Sequence, residues 1–380
     1  MQKRILHIAP FNISGVPIAF VKAERELGFT SRLITLGHDR RNYEEDICLQ
    51  LPFLDFSGTR FMKRIFSGKD KLSVKNVISQ RRSIPPQWQP NGMGERALFS
   101  FREFVWKWKI HRAMQRADFW NYDIYQLDGG LEFYRNGRTI RKLKSMGKTV
   151  ICCYTGSDLR TRGVIPEIDR LSDLNLTLEF DHLLLHPAIH HVFFPFRVED
   201  YTLVPFRNDP SVIKIGHAPT NRMAKGSALI LGVLQELKAK FPVEPVLIEN
   251  LSHTECIKRK SQCDIFIDQI GDLGYGLNSL ESLAMGIPTC SCLAAGFKET
   301  YPEHAFVEVN ENNLKAKLIE LIRDVALRKT YHEKGRPWVK KHHDYLNVVK
   351  TIHKLTRLNV KKSNPSPYDV TANELSRVTL

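Results

Sequence analysis

The sequence predicts an α/β protein built from two doubly wound parallel sheets. Three observations carry this. Aliphatic runs of strand length alternate with longer helix-like stretches, the pattern of βαβ units. A strand–glycine loop–helix passage occurs twice, at the start of the chain and between residues 212 and 288, and such a passage is where a doubly wound sheet meets a ligand. The chain has 380 residues, 42% of them hydrophobic, enough for two cores of ordinary domain size.

Residues 4–9 read as the first strand. The loop Pro10–Pro17 contains Gly15, and a helix through Val21, Lys22 and Leu27 closes at Gly28. Gly15 is a candidate ligand contact or a residue that serves the turn alone. Residues 31–36 make a second strand. Met1 to Ile8 lack the apolar segment of a signal peptide, and no apolar run approaches the roughly 20 residues of a membrane span. Seven cysteines without a CxxC pair read as reduced core thiols, so the expected location is the cytoplasm.

A basic block then interrupts the alternation. Residues 60–116 hold 14 Lys or Arg against Asp70, Glu95 and Glu103, within a chain of formal charge +15. Eight aromatics are interleaved, from Phe61 and Phe66 through Trp88 and Phe99 to Trp106 and Trp108. Loops are expected at Pro85-Pro86 and Asn91-Gly92, and a helix over 95–116. That helix would align Phe101, Phe104, Val105 and Trp108, with Arg102, Lys109 and Arg116 along the flank. Two readings stand for the stripe: peripheral contact with an anionic membrane surface, or packing against the sheet. Nucleic acid is the rival polyanion, but no RNP-like, zinc-finger or helix-turn-helix signature accompanies the block.

Alternation resumes with strands at 123–128 and 148–153. The second delivers the turn Tyr154–Arg160 to a sheet edge, where polar groups do chemistry. Asp158 could accept a proton from a ligand hydroxyl, with Arg160 pairing it or an anionic ligand; equally, the two could form a buried pair that fixes the turn. His182, His186 and His190 sit four residues apart, but Pro187 breaks the helix that would align them and no further ligands complete a metal shell. A linker is expected across 194–210. Strands follow at 246–250, 265–269, 289–293 and 306–309, with a helix over 313–326 capped by Asn310. The final helix aligns Tyr345, Val348, Val349, Ile352 and Leu355.

The second passage reads as a phosphate site. An apolar run, Val212–Ile215, leads into His217 and then Arg222, Lys225 and Gly226. Asp268 and Gln269 end another strand before Gly271, Gly274 and Gly276, and Asn278, Ser279, Leu280 and Glu281 open a helix that stops near Gly286. Helix N–H groups and the dipole would face an anion, with Arg222 and Lys225 opposite. Taken singly, each piece also has an ordinary structural use: Glu281 as an acidic residue near a helix start, the cations as surface charges.

Taken together, Gly274 to Pro288 resembles the donor-site signature of retaining GT-B glycosyltransferases, which use nucleoside-diphospho-sugars. His217 to Arg222, Lys225-Gly226 and Asp268-Gln269 resemble a bacterial branch of that family. The resemblance implies two Rossmann-like domains facing across a cleft: 1–205 on the acceptor side, 206–342 for the donor, 343–360 as a helix returning to the first domain, and 361–380 as a tail. It places Glu281 on the donor ribose, Arg222 and Lys225 on the diphosphate, and the N–H groups of Asn278 to Leu280 around it. Gly15, His217, Asp268 and Gly276 complete the expected donor set, with Asp158 and Arg160 on the acceptor side. It implies transfer to a glycan or lipid-linked acceptor with retention, and no cofactor beyond the nucleotide-sugar. The absence of any Asp-x-Asp triplet, with Arg and Lys in its stead, predicts no catalytic metal. The sequence departs from the family at two places: Leu273 stands where a first glutamate is usual, and Thr155 where a histidine is.

Overall fold

The computed structural model describes residues 3–39, 41, 43–54, 82–90, 92–208, 210–271 and 274–360. The segment 60–81, Asn91, Asp272, Leu273 and the tail 361–380 therefore lie outside the described residues. The chain divides into two compact units, Met1–Phe193 with Val349–Leu380, and Phe194–Val348.

Unit 1 is built on a parallel sheet of β1 (Arg4–Ala9), β2 (Thr30–Thr35), β3 (Ile47–Cys48), β4 (Ile124–Asp128), β5 (Thr149–Tyr154), β6 (Leu174–Thr177) and β7 (His190–His191). Their order is β3-β2-β1-β4-β5-β6-β7, with every pair parallel. Between them run α1 (Val16–Glu26), α2 (Met93–Arg116), α3 (Arg138–Ser145), α4 (Pro166–Leu171) and α5 (His182–Leu185). Ile5 to Ala9 are all buried, as a central strand covered on both faces requires. Strand order reverses between β1 and β4, so the loops leaving them flank the crevice where ligands of such sheets bind.

Of the two readings of its aromatic stripe, helix α2 does not take the one that packs it against the sheet. Its buried residues are Arg102, Trp106, Ile110 and Ala113, while Phe101, Phe104 and Trp108 are 59%, 75% and 63% exposed. The aromatic stripe thus faces away from the sheet. The helix carries apolar residues on two opposite sides, and periodicity alone could not say which turns inward. Trp106 wins because its indole N–H also donates to Pro52 O at 2.7 Å. Arg102 is no flanking surface charge: its guanidinium stacks between Phe99 and Trp106, 4.6 and 4.3 Å from the ring centres. Burial pushes its pKa down to about 10.

Unit 2 has β8 (Ile213–His217), β9 (Val243–Leu247), β10 (Ile265–Gln269), β11 (Thr289–Ser291) and β12 (Val307–Glu308), all parallel in the order β12-β11-β10-β8-β9. Helices α6 (Arg222–Lys225), α7 (Ser227–Lys238), α8 (His253–Lys260), α9 (Leu277–Ala284), α10 (Phe297–Thr300), α11 (Leu314–Arg323) and α12 (Val325–His343) connect them. Here the order reverses at β8 and β10, which places the Arg222 loop and the glycine loop side by side. The β9 strand lies three residues earlier than expected. The helix expected over 313–326 ends at Arg323, because the Asp324 carboxylate accepts from Leu327 N–H at 2.8 Å and starts α12 instead. The unit boundary falls within α13 (Tyr345–Val360). Beyond it, His353 packs edge-on against Phe29 and meets Glu24 at 3.4 Å within unit 1.

All seven cysteines are free, with Cys48, Cys256 and Cys292 only partly buried. Among the described residues no helix is long and apolar enough to cross a membrane.

Candidate functional site

The site in unit 2 is assembled by two loops pressed together at the strand-order reversal. Asn221 starts α6 by accepting from Met223 and Ala224 N–H groups. Gly226 ends it in the left-handed region, φ +70°, where a Cβ would lie 2.4 Å from Ile270 Cγ1. Ile270 N–H donates to Lys225 O. A Cβ on Gly271 would lie 2.8 Å from Ala224 O. Glycine suits Gly226 for its left-handed backbone and Gly271 because the Ala224 carbonyl stands where a Cβ would go.

Asp268 is the hub. It is buried, and its Oδ1 accepts from Lys225 Nζ at 2.6 Å. Its Oδ2 accepts from Gly276 N–H at 3.1 Å and Ser279 Oγ at 2.7 Å. Burial opposes its charge, but Lys225 and these donors outweigh that and hold its pKa below the usual carboxylate range. Asp268 therefore fixes the start of α9 and the Lys225 ammonium relative to each other. It has no exposed edge for a ligand.

Glu281 lies on the next turn of α9. Its Oε1 accepts from His253 Nε2 at 2.8 Å, and its Oε2 from Lys260 Nζ at 2.5 Å. Lys260 is wholly buried and donates also to Asn278 Oδ1 at 3.0 Å. Asn278 in turn donates to Ala218 O at 3.0 Å, just beyond β8. Burial opposes ionisation of Glu281, yet Lys260 and His253 together hold its pKa low. A carboxylate with two donors keeps further lone pairs, so it can accept from hydroxyl groups of a ligand. His253 is 45% exposed beside it.

Other expected donor contacts prove to be supports. His217 is fully buried: Nδ1 meets Ile267 O at 2.9 Å and Nε2 meets Ser227 Oγ at 2.8 Å. Burial lowers its pKa, so it is a neutral strut. Ser279 and Leu280 are 0% exposed, and their N–H groups donate to Gly276 O. Leu277 and Asn278 are the first residues of α9, and their N–H groups stand ahead of the helix's own acceptors. Arg222 is half exposed and forks onto Glu249, Nε–Oε1 2.8 Å and Nη2–Oε2 2.5 Å. Glu249, His253 and Lys260 all come from the β9–α8 stretch, which sequence reasoning passed over. The one available signal was Lys260 at three positions after the inward-facing Ile257.

In unit 1 the loops after β1, β4 and β5 converge. A Cβ on Gly129 would lie 3.5 Å from Pro10 and 3.7 Å from Asp158 Oδ2. Gly15 has φ +71°, and a Cβ there would press Tyr43 at 3.2 Å. Asp158 is not a free base. Its oxygens accept from the N–H groups of Thr155, Gly156 and Leu159 at 2.7–2.9 Å, so it caps its own turn. Arg160 does not pair with Asp158. It is partly buried and forks onto Asp181, at 2.7 and 2.5 Å, and reaches Glu179 at 2.9 Å. Glu179, unmarked in the sequence, is pushed up by burial to about 7 despite Arg160. A carboxyl raised that far can hold a proton near neutral pH.

The three spaced histidines do not converge. His182 holds Thr177 Oγ1 and Gly156 O, while His186 holds Asp169. Among the described residues, His38, Glu45 and Cys48 in unit 1 have donor atoms within 4.8 Å of one another, the one such set. The segment that carries it meets the loop after β1, where Asn12 Nδ2 donates to Glu44 O at 2.7 Å.

No protein-family profile matches the chain. Among curated proteins it is 31% identical over 109 residues to an uncharacterized glycosyltransferase, MJ1178, of Methanocaldococcus jannaschii; the match covers 25% of this chain and 31% of that protein's length. Among solved structures it is similar to an alpha-glucosyltransferase in complex with UDP (TM-score 0.59, 13% identity, 93% of this chain and 99% of that one). It is also similar to the sucrose-phosphate synthase of Thermosynechococcus elongatus (TM-score 0.59, 13% identity, 95% and 100%). Anabaena HepE in complex with UDP and glucose gives a TM-score of 0.56 at 10% identity, over 94% and 100%. With two parallel doubly wound sheets and these neighbours, the chain adopts the GT-B glycosyltransferase fold.

Proposed function

We propose that the chain is a glycosyltransferase that binds a nucleoside-diphospho-sugar on unit 2 and passes the sugar to a glycan or lipid-linked acceptor. The observation that carries this reading is Glu281, kept ionised by Lys260 and His253 one helical turn beyond the first N–H groups of α9. The ribose hydroxyls would donate to Glu281. The diphosphate would lie at the Leu277 and Asn278 N–H groups, beside the Lys225 ammonium held by Asp268, with Arg222 turning from Glu249 toward it. These cations take the place of a divalent metal, and the departing phosphate helps deprotonate the acceptor, with retention at the sugar. The proposed setting is the cytoplasmic face of a membrane, in polysaccharide assembly. Two fold neighbours carry UDP, so uridine nucleotides are the first to try.

The test is calorimetric titration with UDP-, GDP-, ADP- and CMP-sugars on the wild type and on Glu281→Ala. Binding of one nucleotide class, lost in the variant, supports the reading; a folded protein that binds none of them sinks it. A second reading is donor binding without turnover. Asp158, consumed by its own turn, and Thr155 in place of the family's histidine favour it. Product formation with any acceptor, followed by NMR of the new anomeric centre, separates the two.

A further inference from the structure

We propose that the outer face of α2 is a docking surface for an anionic lipid bilayer. Of the four exposed Phe and Trp side chains among the described residues, Phe101, Phe104 and Trp108 lie on this helix. At 3.6 residues per turn they fall with Met93, itself 85% exposed, inside one sector of about 80°. Trp106, Ile110 and Ala113, which hold the helix to the sheet, occupy the opposite side. The stripe is thus surplus to packing. Contiguous apolar exposure of this kind marks a contact surface.

The charges around the stripe identify the occupant. Arg96 and Lys107 border it on one side, Arg112 and Arg116 on the other, all four exposed. Arg112 lies 4.8 Å over the Trp108 ring, at the level where an amphipathic ring meets a headgroup. The helix has six Lys or Arg against two acids. Of these, Glu103 is turned inward, accepting from Arg135 N–H at 2.9 Å. An apolar stripe between two cationic rails matches acyl chains below a layer of phosphates. A protein partner would need an acidic rim around an apolar centre; a bilayer of anionic lipid supplies both over any length of helix. The surface lies on unit 1, whose loops are the proposed acceptor side, so docking would bring a lipid-linked acceptor to the enzyme. The proposal itself stands on α2 alone and not on the donor site.

The experiment is co-sedimentation of the full chain with vesicles of phosphatidylcholine alone and with phosphatidylglycerol added. Two variants accompany it, Phe101→Ser/Phe104→Ser/Trp108→Ser and Lys107→Glu/Arg112→Glu. Wild type should partition to the phosphatidylglycerol vesicles only, and less at high salt. Each variant should reduce partitioning by roughly tenfold or more, with nucleotide titration on unit 2 unchanged in both. Should the first variant fold poorly, the second, confined to exposed charges, decides. Wild type left in the supernatant overturns the proposal, as does binding that both variants retain, which would move the contact to other basic residues. A dimer in sedimentation that the Ser variant dissociates overturns it too, because the face then belongs to a second copy of the chain.

Discussion

The buried ammonium of Lys260 lies 2.5 Å from Oε2 of Glu281 and 4.6 Å over the Phe266 ring. This pair ties α8 to α9 and sets the charge of the residue proposed to meet the ribose. Among the described residues neither partner has another opposite charge as deeply buried, since His253 is 45% exposed.

Lys260→Met keeps most of the stem's volume and leaves Glu281 with His253 alone. Loss of one member of a buried ion pair costs about 3–5 kcal/mol, and unit 2 should show it in its denaturant midpoint. Lys260→Met/Glu281→Leu should recover much of that loss, because no charge is then stranded. A single variant within about 1 kcal/mol of wild type would mean that the carboxylate is rescued by water and that the pair does not organise the site.

Lys225 is held by Asp268 at 2.6 Å and is 17% exposed, so it is preset rather than free to search. Lys225→Met should weaken nucleoside-diphosphate binding by about ten- to a hundredfold, the range of a charged hydrogen bond. Ser279→Ala removes one donor from Asp268 Oδ2 and should cost about 1 kcal/mol of stability. Calorimetry on both separates them: Ser279→Ala should change affinity much less than Lys225→Met. Equal losses would place the ligand on Ser279 instead.

Much of this was legible in the sequence for a local reason. A strand, a glycine loop and a helix start are written in consecutive residues, and both strand-order reversals fall where such passages stand. Glu281, Lys225 and Arg222 could be picked out because they lie in those passages. Their partners could not. Glu249 and His253 approach from the β9–α8 connection, and a Lys-Arg-Lys run at 258–260 looks like a solvated surface although Lys260 is fully buried. His217 and Asp158 were misplaced as contacts because chain position says nothing about where a side chain points. The same limit hid the orientation of α2, whose two apolar sides gave one periodicity and two possible faces.

Gly226→Ala tests the join between the two loops. The residue would have to hold φ +70° while its Cβ met Ile270 at 2.4 Å. Left-handed backbone in a non-glycine residue costs about 1–3 kcal/mol where the structure insists on it, and Ile270 must also shift. Stability should fall by that amount, and nucleotide affinity should fall with it because Lys225 is the preceding residue. Unchanged affinity with lowered stability would detach the loop join from ligand binding.

His7 gives unit 1 a pH dependence. Its ring lies between Glu24 at Nε2 and Asp128 at Nδ1, each 3.0 Å away and all buried. Burial alone would strip its proton, but the two carboxylates reverse that and push it from 6.5 up to about 10. Burial would likewise raise Glu24, yet the imidazolium, with His353 and Ser31, holds it down at about 2 from 4.5. The folded state therefore keeps a proton on His7 that the unfolded chain releases near 6.5. This stabilisation is complete below that pH and is lost as pH rises through about 10. The Glu24 contribution is complete above 4.5 and is lost as pH falls through about 2. Stability should be flat between these windows and decline on the alkaline side by at most ~1.4 kcal/mol per pH unit. His7→Gln should lower stability at pH 6 and abolish the alkaline slope, measured by denaturant unfolding from pH 5 to 10. A variant that keeps the wild-type slope would place the titrating proton elsewhere in the unit.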